Sequence, residues 1–180
     1  MANLKKRDTL DISGTIYLHE EKLLISASHD STIRIYDEAD PEESTLLKVL
    51  CGGNQNAEIL SVSYSAYFTL LASGSSNGLV AIWDLETGKM DGLLVNEVSE
   101  VVAIEFMDPI PVVVTGQSNG MVSLWTVKST SHYQRYRCIL RISNTVFNGS
   151  VPQAPTPITA ITVHCESMVG VPRSTPLGEY

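Results

Sequence analysis

One sequence pattern occurs three times in this chain and aligns without a gap. The copies occupy residues 26–37, 73–84 and 115–126, and each begins with Ser or Thr. The last residue of each copy follows that of the previous copy by 47 and then by 42 residues. Repeats of about 40–45 residues are typical of stacked β-sheet units in which each unit contacts only its neighbours. The repeat therefore limits the fold to an array of one supersecondary unit.

Each copy carries the signals of a β-hairpin. An apolar run comes first, at 23–25, 70–72 and 112–114, as expected for a strand covered on both faces. A strand with alternating apolar residues follows, and a turn dipeptide lies between the two strands. The three dipeptides are Asp30-Ser31, Asn77-Gly78 and Asn119-Gly120. Asn-Gly predicts a type I′ turn with positive φ at both central residues.

Two further strands complete each unit. An earlier strand ends in an aromatic residue nine positions before the Ser or Thr, at Tyr17, Tyr64 and Phe106. A more polar outer strand follows at 45–50, 90–95 and 136–142. Units of four strands predict an all-β propeller with three blades and the start of a fourth, which is an incomplete ring. The predicted parts are a lead-in (1–10), three blades (11–53, 54–96 and 97–143), a proline-containing loop (144–157), and a partial fourth blade with a tail (158–180), whose inner strand would be 158–164.

Over about residues 11–165 the repeats resemble WD repeats. The resemblance implies a hydrogen-bonded tetrad in each blade, formed by Trp, Ser or Thr, Asp and His. By position, Ser26, Asp30 and Tyr36 fill the first three places in blade 1, Ser73, Asn77 and Trp83 in blade 2, and Thr115, Asn119 and Trp125 in blade 3. The histidine is absent: Gly52-Gly53-Asn54 and Asn96-Glu97-Val98 stand where Gly-His would precede the first strand. The nine residues are expected to have structural roles.

A narrower resemblance comes from the amino-acid sequence of the repeats at 24–35, 72–78 and 108–115. These segments are similar to repeats in the large WD-repeat proteins of cilia and flagella. The resemblance implies a scaffold of the axoneme, bound to subunits of structures such as the radial spokes.

Composition narrows the classes of partner. The formal net charge is −8, and an acidic surface repels nucleic-acid backbones and anionic membranes. No apolar run is long enough for a membrane-spanning helix, and the first 25 residues lack the apolar core of a secretory signal. Three cysteines without a C-x-x-C pair fit a reducing compartment. A cytoplasmic protein without metal or cofactor is expected, with no nucleic-acid binding.

Two segments are candidate contacts for protein partners. The first is an acidic run that could attract a basic protein segment, although a solvated loop is the simpler and favoured explanation. The second lies within residues 128–157, where aromatic and arginine side chains are typical anchors of interfaces. The acidic candidates are Asp37, Glu38, Asp40, Glu42 and Glu43, and the others are His132, Tyr133, Arg135 and Tyr136.

The leading hypothesis is a non-enzymatic protein–protein interaction scaffold of the axoneme. The alternative is a WD-repeat adaptor of a cytosolic regulatory complex, such as a ubiquitin-ligase receptor or a signalling scaffold. An enzyme would need several polar groups converging on the channel, where Glu105 is the only carboxylate among the first-strand candidates. Since propellers usually have four to eight blades, the remaining blades are expected from the same longer protein or from another chain.

Overall fold

The computed structural model describes residues 11–40, 42–96, 98–127, 136–144, 147–148, 151–152 and 155–163. These residues form β-strands and no helix, as the repeat predicts. The strands are β1 (Ile12–Leu18), β2 (Leu23–Ser28), β3 (Thr32–Asp37), β4 (Thr45–Cys51), β5 (Ile59–Ser65), β6 (Leu70–Ser75), β7 (Leu79–Asp84), β8 (Lys89–Val95), β9 (Val101–Phe106), β10 (Val112–Gln117), β11 (Met121–Thr126), β12 (Cys138–Ser143), β13 (Phe147–Asn148) and β14 (Val151–Pro152).

Three antiparallel sheets of four strands each make up three blades. Their orders are β1-β2-β3-β4, β5-β6-β7-β8 and β9-β10-β11-β12, so every strand pairs with its neighbour in sequence. We refer to these sheets as blades 1, 2 and 3. The first strands of successive blades contact each other, β1 with β5 and β5 with β9. The predicted blades of a propeller with an incomplete ring are therefore present.

The pairing register repeats from blade to blade. Ile12, Ile59 and Val101 occupy the same position at the start of the first strand, opposite Ser28, Ser75 and Gln117. In each blade an irregularity in the pairing follows this position. Residues at equivalent positions can therefore be compared directly across the three blades.

The predicted type I′ turns are wrong. Positive φ occurs only at the second residue of each dipeptide: Ser31 (67°), Gly78 (87°) and Gly120 (81°). In each turn the N–H of this second residue donates to the carbonyl three residues before it, as from Gly78 N to Ser75 O (3.2 Å). The loops thus have three residues, with the left-handed residue last, which is the next commonest hairpin geometry. The side chain at the first position accepts a backbone N–H two residues on, and this bond holds the alternative turn.

Apolar side chains from adjacent blades form two cores. The core between blades 1 and 2 contains Ile25, Ile33 and Ile35 from blade 1, with Leu71 and Trp83 from blade 2. The core between blades 2 and 3 is similar and includes Val80, Ile82 and Leu94 from blade 2, with Val113 and Trp125 from blade 3. Strands β6 and β7 are buried almost throughout because blade 2 packs on both sides.

Close packing between blades requires a glycine at position 74. A Cβ built there would lie 2.6 Å from Val101 Cγ1 and 2.8 Å from Ile104 Cδ1, both on β9 of the next blade. Gly116 is the equivalent residue of blade 3, and a Cβ there would lie 2.6 Å from Ile158 Cγ2 and 2.9 Å from Ile161 Cδ1. Ile158 and Ile161 have the same spacing as Val101 and Ile104. Residues 158–161 therefore lie against blade 3 as the first strand of a next blade would.

The segment at 158–163 does not form the predicted strand. It packs in the expected place, but a strand needs a ladder partner, and none pairs with it among the described residues; His164 lies outside them. The predicted irregular loop at 144–157 also contains the short hairpin of β13 and β14.

The outer faces of blades 1 and 3 differ from the buried ones. Ile12 is 54% exposed, whereas Ile59 at the same position in blade 2 is 2% exposed. Ile142 of β12 is 50% exposed, whereas Leu94 at the same position in β8 is fully buried. Both exposed positions carry apolar residues that a neighbouring blade covers elsewhere. No helix in the described residues is long and apolar enough to cross a membrane.

Gly74→Ala should destabilise the fold by about 1–3 kcal/mol, because the added methyl overpacks the boundary between blades 2 and 3. Urea unfolding measures the change. The double variant Gly74→Ala/Val101→Ala is the control, because it removes Val101 Cγ1, the atom that the added methyl would approach most closely. It should lose less stability than the sum of the single variants, and simple additivity would contradict this packing.

Candidate functional site

A hydrogen-bonded network crosses the buried interior of blade 2. Trp83 Nε1 donates to Ser73 Oγ (3.0 Å), and Ser73 Oγ donates to Asn54 Oδ1 (3.4 Å). Asn54 also donates from Nδ2 to the Ser73 carbonyl (3.3 Å), and Asn77 Nδ2 donates to the Asn54 carbonyl (3.2 Å). Trp83, Ser73 and Asn54 are buried. The network joins strands β6 and β7 to the segment that leads into the blade.

Blade 3 repeats the network in a looser form. Trp125 Nε1 donates to Thr115 Oγ1 (3.2 Å), which lies 3.5 Å from Asn96 Oδ1. Asn96 Nδ2 is buried without a hydrogen-bond partner among the described residues. Asn119 is exposed and caps the turn by accepting from Met121 N (3.0 Å).

Asparagine thus fills the place that the resemblance assigns to histidine. Asn54 and Asn96 stand where the sequence lacks Gly-His. Their distance from the first strand is the signal that could have identified them. A side-chain amide both donates and accepts, so it can bond to the hydroxyl as a neutral imidazole would.

Blade 1 holds its turn with a charged pair. Asp30 Oδ1 accepts from Thr32 N (3.0 Å), and Asp30 Oδ2 lies 3.1 Å from Arg34 Nη2. The side chains of both ions are more than nine-tenths buried. Arg34 takes the position of Ala81 in blade 2 and Ser123 in blade 3. Tyr36, at the tryptophan position, has no indole N–H to donate to Ser26.

Alternate serines of β5 bind blade 2 to blade 3. Ser61 Oγ donates to the Val101 carbonyl (2.8 Å), Ser63 Oγ to Glu105 Oε2 (3.4 Å), and Ser65 Oγ to Asp108 Oδ1 (2.6 Å). Alternate residues of a strand share one face, which explains why all three serines reach the same neighbour. No local pattern in the sequence indicates this serine ladder, because its partners lie 40 to 43 residues further along the chain.

Glu105 lies at the channel side of the blades. It lines a cavity of about 240 Å³ with Ile16, Val62, Ser63 and Tyr64. Burial raises the pKa of Glu105, the hydrogen bond from Ser63 lowers it, and the negative charge of Asp108 raises it further. Glu105 accepts a hydrogen bond from the Ser63 hydroxyl, and its charged neighbour is the Asp108 carboxylate.

A larger cleft of about 440 Å³ opens between blades 1 and 2. Blade 1 contributes Glu21, Leu23 and Lys48, and blade 2 contributes Tyr64, Thr69, Leu85 and Glu86. Lys48 Nζ donates to the carbonyls of Leu85 (3.0 Å) and Glu86 (2.6 Å), which links the two blades. Burial and the negative charges of Glu21 and Asp108 raise the pKa of Tyr64.

The acidic run lies beside this cleft. Glu38 N donates to the Lys22 carbonyl (2.8 Å), which fixes the β3–β4 loop next to the β1–β2 loop. Asp37 and Asp40 each accept a backbone N–H two residues on and so shape the loop. Asp40, Glu42 and Glu43 are exposed, while Asp37 and Glu38 are half-buried.

The second group of partner candidates falls mainly outside the described residues, including His132, Tyr133 and Arg135. Tyr136 is described and has φ of 67° instead of lying in the predicted outer strand. Its ring packs over Gly92 of blade 2, and its hydroxyl donates to Asp91. Tyr136 therefore contacts the neighbouring blade, and its role toward a partner stays a prediction.

No group of three or more His, Cys, Asp or Glu side chains within the described ranges is arranged to hold a metal ion. Cys51 and Cys138 are free thiols. Most of the recurrent polar side chains of blades 2 and 3 bond to one another within the sheets.

The geometry defines the class of fold as a segment of a WD-repeat β-propeller. The family model described as "WD domain, G-beta repeat" matches residues 9–37 and 44–84 of the chain. A comparison with curated proteins gives no match.

Solved structures share the fold at low identity. A chain in the crystal structure of the mitotic checkpoint complex is 18% identical with a TM-score of 0.63, over 78% of this chain and 39% of that one. The WD40 repeats of RRP9 are 18% identical with a TM-score of 0.65, over 77% of this chain and 40% of that one. The chain thus spans about two-fifths of the length of these structures.

Asn54→Leu should reduce the free energy of unfolding by about 1–3 kcal/mol, because the buried Ser73 hydroxyl and carbonyl lose their hydrogen bonds to the Asn54 amide. Asn54→His should recover part of this loss by returning a donor or an acceptor. Urea unfolding of the three proteins measures both effects. Equal stability of wild type and Asn54→Leu would show that the amide does not hold the network.

Glu105→Gln should change how stability depends on pH. The folded-state pKa of Glu105 is raised above its ordinary value of 4.5, so the folded state disfavours the ionised carboxylate. The free-energy cost of ionising Glu105 in the folded state is absent at low pH. It grows as pH rises through 4.5 and then through the higher folded-state pKa. The variant should gain stability over wild type at pH 7 but not at pH 3, measured by thermal unfolding. A gain of equal size at both pH values would contradict this account.

Proposed function

We propose that this chain is a non-enzymatic protein–protein interaction scaffold and a structural or regulatory component of the ciliary axoneme. The observation that carries the scaffold role is the internal use of the recurrent polar groups. The Trp–Ser–Asn and Trp–Thr–Asn networks and the serine ladder bond within and between blades. The exposed loops are left for partners.

The axonemal part of the proposal is supported by the amino-acid sequence of the repeats at 24–35, 72–78 and 108–115. These segments contribute β2 with its turn, the β6 turn, and the β9–β10 corner that contains a cis Asp108-Pro109 bond. They resemble the large WD-repeat proteins of cilia and flagella. A cytosolic adaptor, such as a ubiquitin-ligase receptor or a signalling scaffold, is the alternative, and both roles would place the chain in the cytoplasm.

The ring is proposed to be completed by further blades from the same longer protein, with another chain as the alternative source. Apolar Ile142 is half exposed at a position that is buried in blade 2. Ile158 and Ile161 already lie where the first strand of a next blade belongs. The similar solved chains are also about two and a half times as long as the matched part.

Fluorescence microscopy of the tagged full-length protein in ciliated cells tests the location. We expect the signal along the cilium, and we expect it to remain with the microtubules after detergent extraction, because axonemal subunits are held by protein contacts. Tagged Gly74→Ala, which is expected to unfold more readily, serves as the comparison for a folded-state requirement.

A diffuse or nuclear signal without ciliary label would overturn the axonemal proposal. Proximity labelling of ubiquitin-ligase or signalling subunits in the same cells would then support the adaptor. Measured turnover that Glu105→Gln abolishes would overturn the non-enzymatic role.

A further inference from the structure

We infer that the cleft between blades 1 and 2 binds an arginine side chain from a basic segment of a partner protein. This inference deepens the proposed scaffold function by assigning a partner chemistry to one place on the surface, and it rests on that function. The cleft of about 440 Å³ is within the range of roughly 300–1,000 Å³ typical of binding pockets.

The walls of the cleft suit the aliphatic part of a long side chain. Leu23 and Leu85 contribute apolar surface, and the Tyr64 ring lines the same space. Leu85 is buried and Leu23 and Tyr64 are half-buried, and all three pack in the core between blades 1 and 2, which holds these walls in place. An arginine stem can lie along such surface while its charged head stays near water.

The rim of the cleft supplies negative charge. Glu21 of blade 1 and Glu86 of blade 2 both line it and are exposed. Neither carboxylate forms an ion pair within the described residues. Lys48 also lines the cleft, and its ammonium group donates to the carbonyls of Leu85 and Glu86. Two unpaired carboxylates beside an aromatic ring match a planar guanidinium, which forms several hydrogen bonds and stacks on aromatic faces.

The surroundings extend the same charge. The acidic loop lies next to the β1–β2 loop that carries Glu21, because Glu38 N bonds to the Lys22 carbonyl. Glu42 and Glu43 are exposed on that loop. Burial is the main cause of the raised pKa of Tyr64, and the negative charges of Glu21 and Asp108 raise it further. Basic residues flanking the arginine would gain from this field.

The full chain can be titrated with a fluorescein-labelled peptide, Gly-Ser-Leu-Arg-Leu-Ser-Gly, while anisotropy is measured. A matched peptide with citrulline in place of arginine keeps the shape and removes the charge. At low salt we expect the arginine peptide to bind about tenfold more tightly, and we expect the difference to shrink at high salt because the charges are screened. Equal binding of the two peptides would overturn the inference.

Two double variants locate the binding. Glu21→Gln/Glu86→Gln should weaken binding of the arginine peptide about tenfold or more. Glu58→Gln/Glu100→Gln removes the same charge from exposed residues ahead of β5 and β9, at the opposite ends of the blades, and should change binding less than twofold. Equal weakening by both variants would mean general attraction to an acidic protein and would overturn the site. If no peptide binds while the protein still localises to the axoneme, the cleft inference fails and the scaffold proposal stands.

Discussion

The rest of this structure depends on the burial of one sheet face against the next. A four-stranded sheet with apolar residues on both faces cannot cover itself, and blade 2 shows the solution: both of its faces are buried, one on each neighbouring blade. The close approach explains why Gly74 carries no side chain. The same requirement leaves Ile12 and Ile142 exposed on the outer faces, since no equivalent neighbour covers them in the described chain.

Polar groups inside the blades follow from this burial, because a buried hydroxyl or amide must find a partner. In blade 2 an indole, a hydroxyl and an asparagine amide satisfy one another, and the asparagine is a neutral group in place of a titratable ring. Blade 3 keeps the bond from indole to hydroxyl but leaves Asn96 Nδ2 without a partner among the described residues. Blade 1 uses the Asp30–Arg34 pair instead. Between blades 2 and 3, the serine ladder gives the buried serine hydroxyls their hydrogen-bond partners. Because these groups are engaged inside, they are not available at the surface of the blades.

Sequence reasoning predicted the blades well and the connections less well. The hairpins were predictable because alternation and Asn-Gly are local signals. The turn type was wrong, because Asn77 bonds to the Leu79 N–H and favours a three-residue loop with Gly78 alone at positive φ. The partners of Asn54 and Ser65 could not be predicted, since they depend on contacts between elements 19 and 43 residues apart. The negative charge of the acidic run was predictable from the sequence. Its position beside a cleft was not, because that position also depends on contacts between distant elements.

The sequence by itself determined the repeat, the strands and their order, because period and alternation reflect the local geometry of each unit. It also determined the sign of the surface charge. Only the tertiary structure decided that Asn54 completes the network of blade 2, that Tyr136 packs on Gly92, and that Glu21 and Glu86 share one cleft. The physical reason is that these residues meet across blades, where packing and not sequence distance brings side chains together.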